Sequence, residues 1–397
     1  MFMPRPRGTG RNLRDAYRLI PSMRPDWDFV LYYQREAGEI AATLADQPNV
    51  RLRHIDIPGD RFDLWFQVRL PLAAWRDGID LLHLPANAAP LWCPVPSVVT
   101  VHDLIPLTVE EEQNAVSRRS FERGVRRAVR SAGRIISPSE ATRLGLCREF
   151  RVCPERVSVI PWAPDAGITS AELHQGTAEP PATVEQVRER HELAREWLLN
   201  FSGASPRKNA VRLIDSFAAV APELREGVQL VLLGCEPASY RAELAARCAR
   251  HGLKDTCRLL GFVPHADLPA LLGGARGLLM PSLCEGFGLP ILDALACETP
   301  VLTSNLSSMP EVAGEAALYC DPRDASSIAA GIVAILDSDT AKRLRREGHS
   351  RVREYTWQRT ARLMCETYER CLLETASREA AVAAPARNRG MEGGSSA

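Results

Sequence analysis

Six short apolar runs follow one another in the second half of the chain: WLLNFSG (197–203), VQLVLLG (228–234), CRLLGFV (257–263), GLLMPS (277–282), PVLTSN (300–305) and ALYCDP (317–322). Stretches with helical periodicity separate them. No other pattern limits the fold more. Runs that are apolar at both alternating sets of positions are strands buried on both faces, and such strands belong to parallel sheets covered by helices. A less regular series fills the first half: FVLYY (29–33), VRLRHIDI (50–57), DLLHL (80–84), SVVTVH (97–102), RIISPS (134–139) and VSVIPW (157–162). Two successive series predict an α/β chain with two Rossmann-like, doubly wound parallel-sheet domains. A length of 397 residues suits two such domains.

The pattern predicts an N-terminal domain over 1–164, a linker region over 165–195, a second domain over 196–340, C-terminal helices over 341–374 and a disordered Gly/Ala/Ser-rich tail over 375–397. Lys and Arg together number 49, as do Asp and Glu, so bulk charge does not point to nucleic acid. The positive charge is nonetheless clustered, at Arg5, Arg7, Arg11, Arg14 and Arg18 and again over 118–134 (RRSFERGVRRAVRSAGR). Arginines at helical spacing fit either a solvated helix face or a face lying on anionic lipid. The 11 cysteines form no C-x-x-C and no zinc-ligand spacing, and read as reduced core thiols. The opening residues do not read as a secretory signal, and no apolar run is long enough to span a bilayer. Together these features predict a cytoplasmic protein whose contact with a membrane, if any, is peripheral.

Residues 285–296, EGFGLPILDALA, carry the densest chemistry. A strand runs into Glu285-Gly286-Phe287-Gly288 and then a helix, with Pro290 in its first turn. Glycines let the backbone approach a ligand, and the free N–H groups of a helix start bind anions, above all phosphates. Glu285 and Asp293 would repel a phosphate, so their partners are expected to be hydroxyl groups. A ligand with a diphosphate between two hydroxyl-bearing ends is a nucleotide sugar. The plainer alternative is a capping acid and a first-turn acid favoured by the helix dipole. Arg207 and Lys208, in GASPRKN (203–209), occupy the first βα turn of the second domain, where such domains bind phosphates; a solvated basic turn is the alternative. His102 closes a first-half strand, at the end where ligands collect. Asp103 beside it suits capping a turn, and His83 is structural or on the acceptor side.

These pieces together resemble the family-four retaining glycosyltransferases of the GT-B fold. The resemblance rests on GTGRN (8–12), VHDLIPL (101–107), IISPSEATR (135–143), VIPWAPD (159–165), GASPRKN (203–209), PSLCEGFGLPILDALACETPVLTSN (281–305) and SSMPEVAGEAALYCDPRD (307–324). The ending MPEVAGEAALYCDP is most like the mannosyltransferase-like branch, which uses GDP-mannose to build surface polysaccharides. The resemblance implies two Rossmann-like domains facing each other across a cleft. It implies that Lys208 and Arg207 bind the donor diphosphate and that the backbone of Phe287, Gly288 and Leu289 surrounds it. It places Glu285 at the hydroxyls of the transferred sugar, Asp293 at the ribose diol and His102 beside the donor sugar. His102, Lys208 and Glu285 are thus the expected catalytic residues. Gly8 and Gly10 are expected on the acceptor side. The co-substrate is a nucleotide sugar, with no cofactor and no metal expected, since no Asp-x-Asp motif occurs. The acceptor is a glycan or a lipid-linked glycan.

The chain departs from the family pattern in three places. The spacing motif is E-x7-D, one methylene shorter at Asp293. Glu298 stands where a small residue is usual. Family members open with an apolar strand leading into the glycine loop, whereas here MFMPRPR precedes Gly8. The first strand of the N-terminal domain is therefore expected to be missing and the N-terminus to be incomplete. Two other functions fit the same residues: a nucleotide-sugar-binding protein without transfer activity, and a sugar-nucleotide epimerase of the same architecture.

Overall fold

The computed structural model describes residues 8–34, 44, 46–56, 63–109, 114–169 and 182–383. All twelve apolar runs are strands, β1 to β12. They are Phe29–Tyr33, Val50–His54, Leu82–Leu84, Ser97–Thr100, Arg134–Ser137, Val157–Val159, Glu196–Phe201, Val228–Leu233, Cys257–Leu259, Gly277–Met280, Val301–Ser304 and Ala317–Cys320.

The second set makes one parallel sheet in the order β12-β11-β10-β7-β8-β9. Its central residues Leu198, Leu230, Val231, Leu278, Leu279, Val301 and Leu302 are completely buried, as expected for strands covered on both faces. The order reverses between β7 and β10. The loops leaving these two neighbouring strands therefore open a crevice at their carboxyl ends, the usual ligand position in such sheets.

In the first half β3, β4, β5 and β6 form a parallel sheet in that order, while β1 and β2 pair separately. Among the described residues no strand joins the two pieces, and 1–7 lie outside them. The Gly8–Tyr17 segment, expected to begin as a glycine loop, is helical from Gly8 onward (α1). The 118–134 segment lies on helix α2, Ala115–Ser131, capped by the Asn114 side chain. Helix α3, Glu140–Phe150, follows β5 and is capped by Ser139, whose Oγ accepts the Thr142 N–H.

One core cluster spans both halves, beside others confined to each. Ile136, Ile160 and Trp162 from the first pack in the same cluster as Trp197, Met280, Phe287 and Ile291 from the second. The last helix, α4 here, runs Trp357–Ala383 and returns to the first half. Its Trp357 Nε1–H donates to the Pro164 carbonyl and its Thr360 hydroxyl to Pro161, and Glu374 pairs with Arg134. The expected disordered tail from 375 is corrected accordingly: the helix continues through Ala383, carried on from the turns anchored by buried Tyr368 and Cys371, although 376–381 are themselves exposed. Residues 384–397, and residues 170–181 of the expected linker, lie outside the described residues. Half-buried His83 joins the halves further. Its Nδ1 meets the hydroxyls of Tyr17 (2.7 Å) and Tyr368 (3.0 Å), and its Nε2 meets Thr100 Oγ1 (2.8 Å). Burial pushes its pKa down to about 3, so it is a neutral structural group.

Candidate active site

The loop after β7 turns at Gly203 and closes at Asn209, both with positive φ. Asn209 fixes that loop by donating to the carbonyls of Pro281 (3.0 Å) and Pro322 (2.7 Å). The loop after β10 runs alongside, with the Leu283 N–H donating to the Arg207 carbonyl at 2.8 Å. The helix that follows, Leu289–Ala296, starts at Gly288 with φ 113 and has no side-chain cap. Among the described residues the N–H groups of Gly286, Phe287, Gly288 and Leu289 find no acceptor. This is the open row of amides expected for an anion.

Glu285, Arg207 and Lys208 come together beside that row. Glu285 Oε2 lies 2.6 Å from Arg207 Nη1 and Oε1 2.7 Å from Lys208 Nζ. Burial raises the carboxyl's pKa, but the two cations more than offset this and hold it below its ordinary value. The anticipated hydroxyl-binding acid is thus already engaged by the cations anticipated for the diphosphate. An incoming donor would have to redistribute these contacts.

The first half supplies the opposite wall. A Cβ on Gly286 would come within 2.3 Å of the His102 carbonyl and 2.7 Å of Asp103 Cβ, so only glycine allows this approach. The His102 ring is stacked near Trp162 at 6.0 Å. Its Nε2 lies 3.0 Å from the Pro85 carbonyl, which can only accept. Nε2 therefore carries the proton, leaving Nδ1 as an acceptor. Burial lowers the pKa of His102, which favours this neutral form. Asp103 caps the turn through the Ile105 N–H (3.1 Å).

Asp293 lies one helical turn inside and is tied to the crossover between the halves. Its Oδ1 accepts the Asp165 N–H at 2.9 Å, and burial raises its pKa to about 7. Asp165 in turn meets Arg11 Nη1 and His265 Nε2, both at 3.0 Å. Gly8 and Gly10 lie in the first turn of α1, the helix that also carries Arg11. The structure therefore gathers Arg207, Lys208, Glu285, Phe287, Gly288, Leu289 and His102 around one cleft. It sets Asp293 deeper and Gly8 and Gly10 near the Arg11–Asp165 contact. Among the described residues no group of three or more His, Cys, Asp or Glu could hold a metal ion.

Sequence reasoning missed the groups that hold the loop's backbone. The Glu285 carbonyl accepts from Ser307 Oγ (2.7 Å) and Ser308 Oγ (3.0 Å), and the Phe287 carbonyl from Ser308 Oγ (2.7 Å). The Gly286 carbonyl accepts from Ser139 Oγ (2.7 Å) and Thr142 Oγ1 (3.2 Å). Both hydroxyl pairs sit in the motifs that carry the family resemblance, but nothing in a hydroxyl's sequence context says which distant carbonyl it will meet.

Two parallel α/β domains enclosing a cleft, with cations and open amides at the switch point of the second, define a GT-B glycosyltransferase. The profile of "Glycosyl transferases group 1" matches residues 184–351 and that of "Glycosyltransferase Family 4" residues 8–166. The chain belongs to family four of the glycosyltransferases and is a glycosyltransferase. It is 31% identical over 271 residues to the O-antigen chain mannosyltransferase B of Escherichia coli, covering 66% of this chain and 67% of that one. It is 26% identical over 292 residues to the serotype-specific mannosyltransferase WbdA of Escherichia coli, covering 73% of this chain but only 35% of that longer protein. Among solved structures, HepE from Anabaena in complex with UDP and glucose shares the fold, with TM-score 0.69 at 18% identity over 92% of this chain and 97% of that one.

Proposed function

We propose that this glycosyltransferase moves mannose from GDP-mannose to a glycan or lipid-linked acceptor in surface polysaccharide synthesis, with retention at the anomeric carbon. The observation that carries the reading is Glu285 held between Arg207 and Lys208 beside the open amides of 286–289. Mannose rather than another hexose is supported by the mannosyltransferase relatives. As the glycosidic C–O bond breaks, charge builds on the departing diphosphate. Arg207, Lys208 and the amides would stabilise it where it develops, without a metal ion. The acceptor hydroxyl would attack from the side of departure and pass its proton to the leaving phosphate oxygen. His102 Nδ1 and Glu285 would accept hydrogen bonds from the sugar, and Asp293 from the ribose. A donor screen by mass spectrometry, GDP-mannose against UDP-sugars with a lipid-linked acceptor mixture, tests this. Preferential transfer of a hexose from a UDP-sugar would overturn the mannose reading, and hydrolysis or epimerisation without transfer would overturn the acceptor reading.

We place the protein in the cytoplasm, at the inner face of the membrane. No described helix is long and apolar enough to cross a bilayer. Arg119, Arg123 and Arg130 are exposed on one face of α2, with half-buried Arg127 between them. The loop that holds His102 lies against α2 at Gly124 and exposes Leu91 and Trp92, 71% and 56% accessible. Arginines beside an exposed Leu-Trp pair suit an anionic bilayer surface. Vesicles containing anionic lipid should bind the protein at low salt and release it at high salt; no binding at low salt refutes this.

A further inference from the structure

IISPSEATR from the first domain and SSMPEVAGE from the second meet across the cleft. Glu311 reaches over to the start of α3. Its Oε1 accepts the Glu140 N–H at 2.8 Å, and its Oε2 accepts the Glu140 N–H at 2.9 Å and the Ala141 N–H at 3.3 Å. From the same helix start, Ser139 and Thr142 reach the other way and donate to the Gly286 carbonyl. We propose that Ser139, Thr142 and Glu311 are positioning residues that orient the donor loop's backbone, so that the anion site is complete only when the two domains are closed. The inference rests on the reading that 285–289 holds the donor diphosphate.

A trans peptide unit is planar, and its N–H points opposite to its C=O. Fixing the carbonyls of Glu285, Gly286 and Phe287 therefore fixes the directions of the N–H groups of Gly286, Phe287 and Gly288. Ser307 and Ser308, from the second domain itself, hold the outer two carbonyls. Among the described residues the middle one, and with it the Phe287 N–H, is held only by hydroxyls of the first domain. Glu311 keeps those hydroxyls in place. Its carboxylate satisfies two helix-start N–H groups that otherwise have no intrahelical acceptor, an arrangement the helix dipole also favours. Because Gly286 has no Cβ, the first domain can approach to this distance. Opening the cleft would free the Gly286 peptide to rotate and would separate Glu311 from α3. Donor affinity and domain closure are thereby coupled through named contacts rather than through the cleft as a whole.

The test uses the full chain with three substitutions. Thr142→Val removes a donor to the Gly286 carbonyl and keeps the Thr142 N–H that Ser139 caps. Glu311→Ala removes the cross-domain cap. Lys208→Ala serves as the measure of the donor reading. GDP and GDP-mannose binding by calorimetry, steady-state transfer, thermal melts, and GDP-dependent hydrogen exchange over 281–292 are read for each. Glu311→Ala and Thr142→Val are expected to stay folded at the assay temperature, with Glu311→Ala melting a few degrees lower for its lost cap, to lose roughly ten- to hundredfold in kcat/KM, and to show weaker GDP protection of the 286–289 amides. Wild-type binding, turnover and protection in both, with binding lost in Lys208→Ala, would overturn the positioning role and leave the donor reading standing. Wild-type GDP binding in Lys208→Ala would overturn the donor reading and this inference with it.

Discussion

Replacing Glu285 by Gln should separate binding of the leaving group from turnover, and in opposite directions. The carboxylate is 9% exposed and contacts two cations whose side chains are 17% and 14% exposed. Hydrogen bonds to charged groups of this kind contribute about 1.5–3 kcal/mol each. A glutamine keeps one acceptor and turns its NH2 toward the other cation, so the unliganded variant should lose about 2–3 kcal/mol of stability. A diphosphate must draw on the same two cations. In the wild type it competes with the Glu285 carboxylate, whereas in the variant that competing charge is gone. GDP should therefore bind Glu285→Gln tighter by roughly tenfold, or about 1.4 kcal/mol, and should raise its melting temperature more than it raises the wild type's. Turnover should move the other way. If the carboxylate accepts sugar hydroxyls as the bond breaks, losing about 3 kcal/mol there lowers kcat roughly a hundredfold. Calorimetry with GDP, thermal melts with and without GDP, and steady-state kinetics at saturating acceptor measure the three quantities. GDP binding weakened tenfold would mean that Glu285 builds the cation pair for the diphosphate, and the competition argument would fail. A near-normal kcat would remove Glu285 from the sugar site altogether.

Asp293 should make both stability and donor binding depend on pH. Burial raises its pKa to about 7 against an unfolded value near 4, so the folded state holds the extra proton between these values. Its contribution to stability should be full below about pH 4 and lost as pH rises toward about 7. Asp293→Asn should flatten that slope in melts taken from pH 5 to 8. The wild-type donor KM should also fall as pH rises through about 7, where the carboxylate forms and accepts ribose hydroxyls more strongly, and it should be flat in Asp293→Asn. Glu298 adopts φ 56 just beyond the helix Leu289–Ala296, and among the described residues its exposed carboxylate makes only a 4.0 Å contact to His349. Glu298→Gly should therefore stabilise the protein by about 1 kcal/mol without changing kcat, as read from denaturant unfolding and kinetics.

The strands were legible because burial on both faces writes itself into composition. Val231, Leu279 and Leu302 have no solvent face to mark with a polar residue, so each run stands out whatever lies beside it in space. The carboxyl ends of β7 and β10 were legible for a related reason: glycine, proline and paired charges are scarce enough in such positions that GASPRKN and CEGFGLP stand out as loops built for a ligand. Charge sign was readable too, but charge pairing was not. Nothing in the spacing of Lys208 and Glu285, 77 residues apart along the chain, or of neighbouring Arg207 says that the acid answers the two cations directly. The helix limits were less legible. The tail expected from 375 continues α4 because Cys371 and Tyr368 are buried against the first domain, a surface visible only in three dimensions. Glu298 became intelligible only as a dihedral angle: the position asks for a left-handed residue, which sequence marks only when glycine fills it. Least legible were Ser139, Thr142 and Glu311. A serine before a helix and a glutamate in a first turn are ordinary capping residues wherever they occur, and both do act as caps here. What distinguishes them is that each also serves the opposite domain. Glu311 caps a helix that is not its own, and Ser139 caps its own helix while holding a carbonyl 147 residues away. Such double use leaves no trace in local pattern, because local propensity is satisfied either way. Motifs whose local explanation is complete are therefore where a two-domain enzyme can hide the contacts that join its halves.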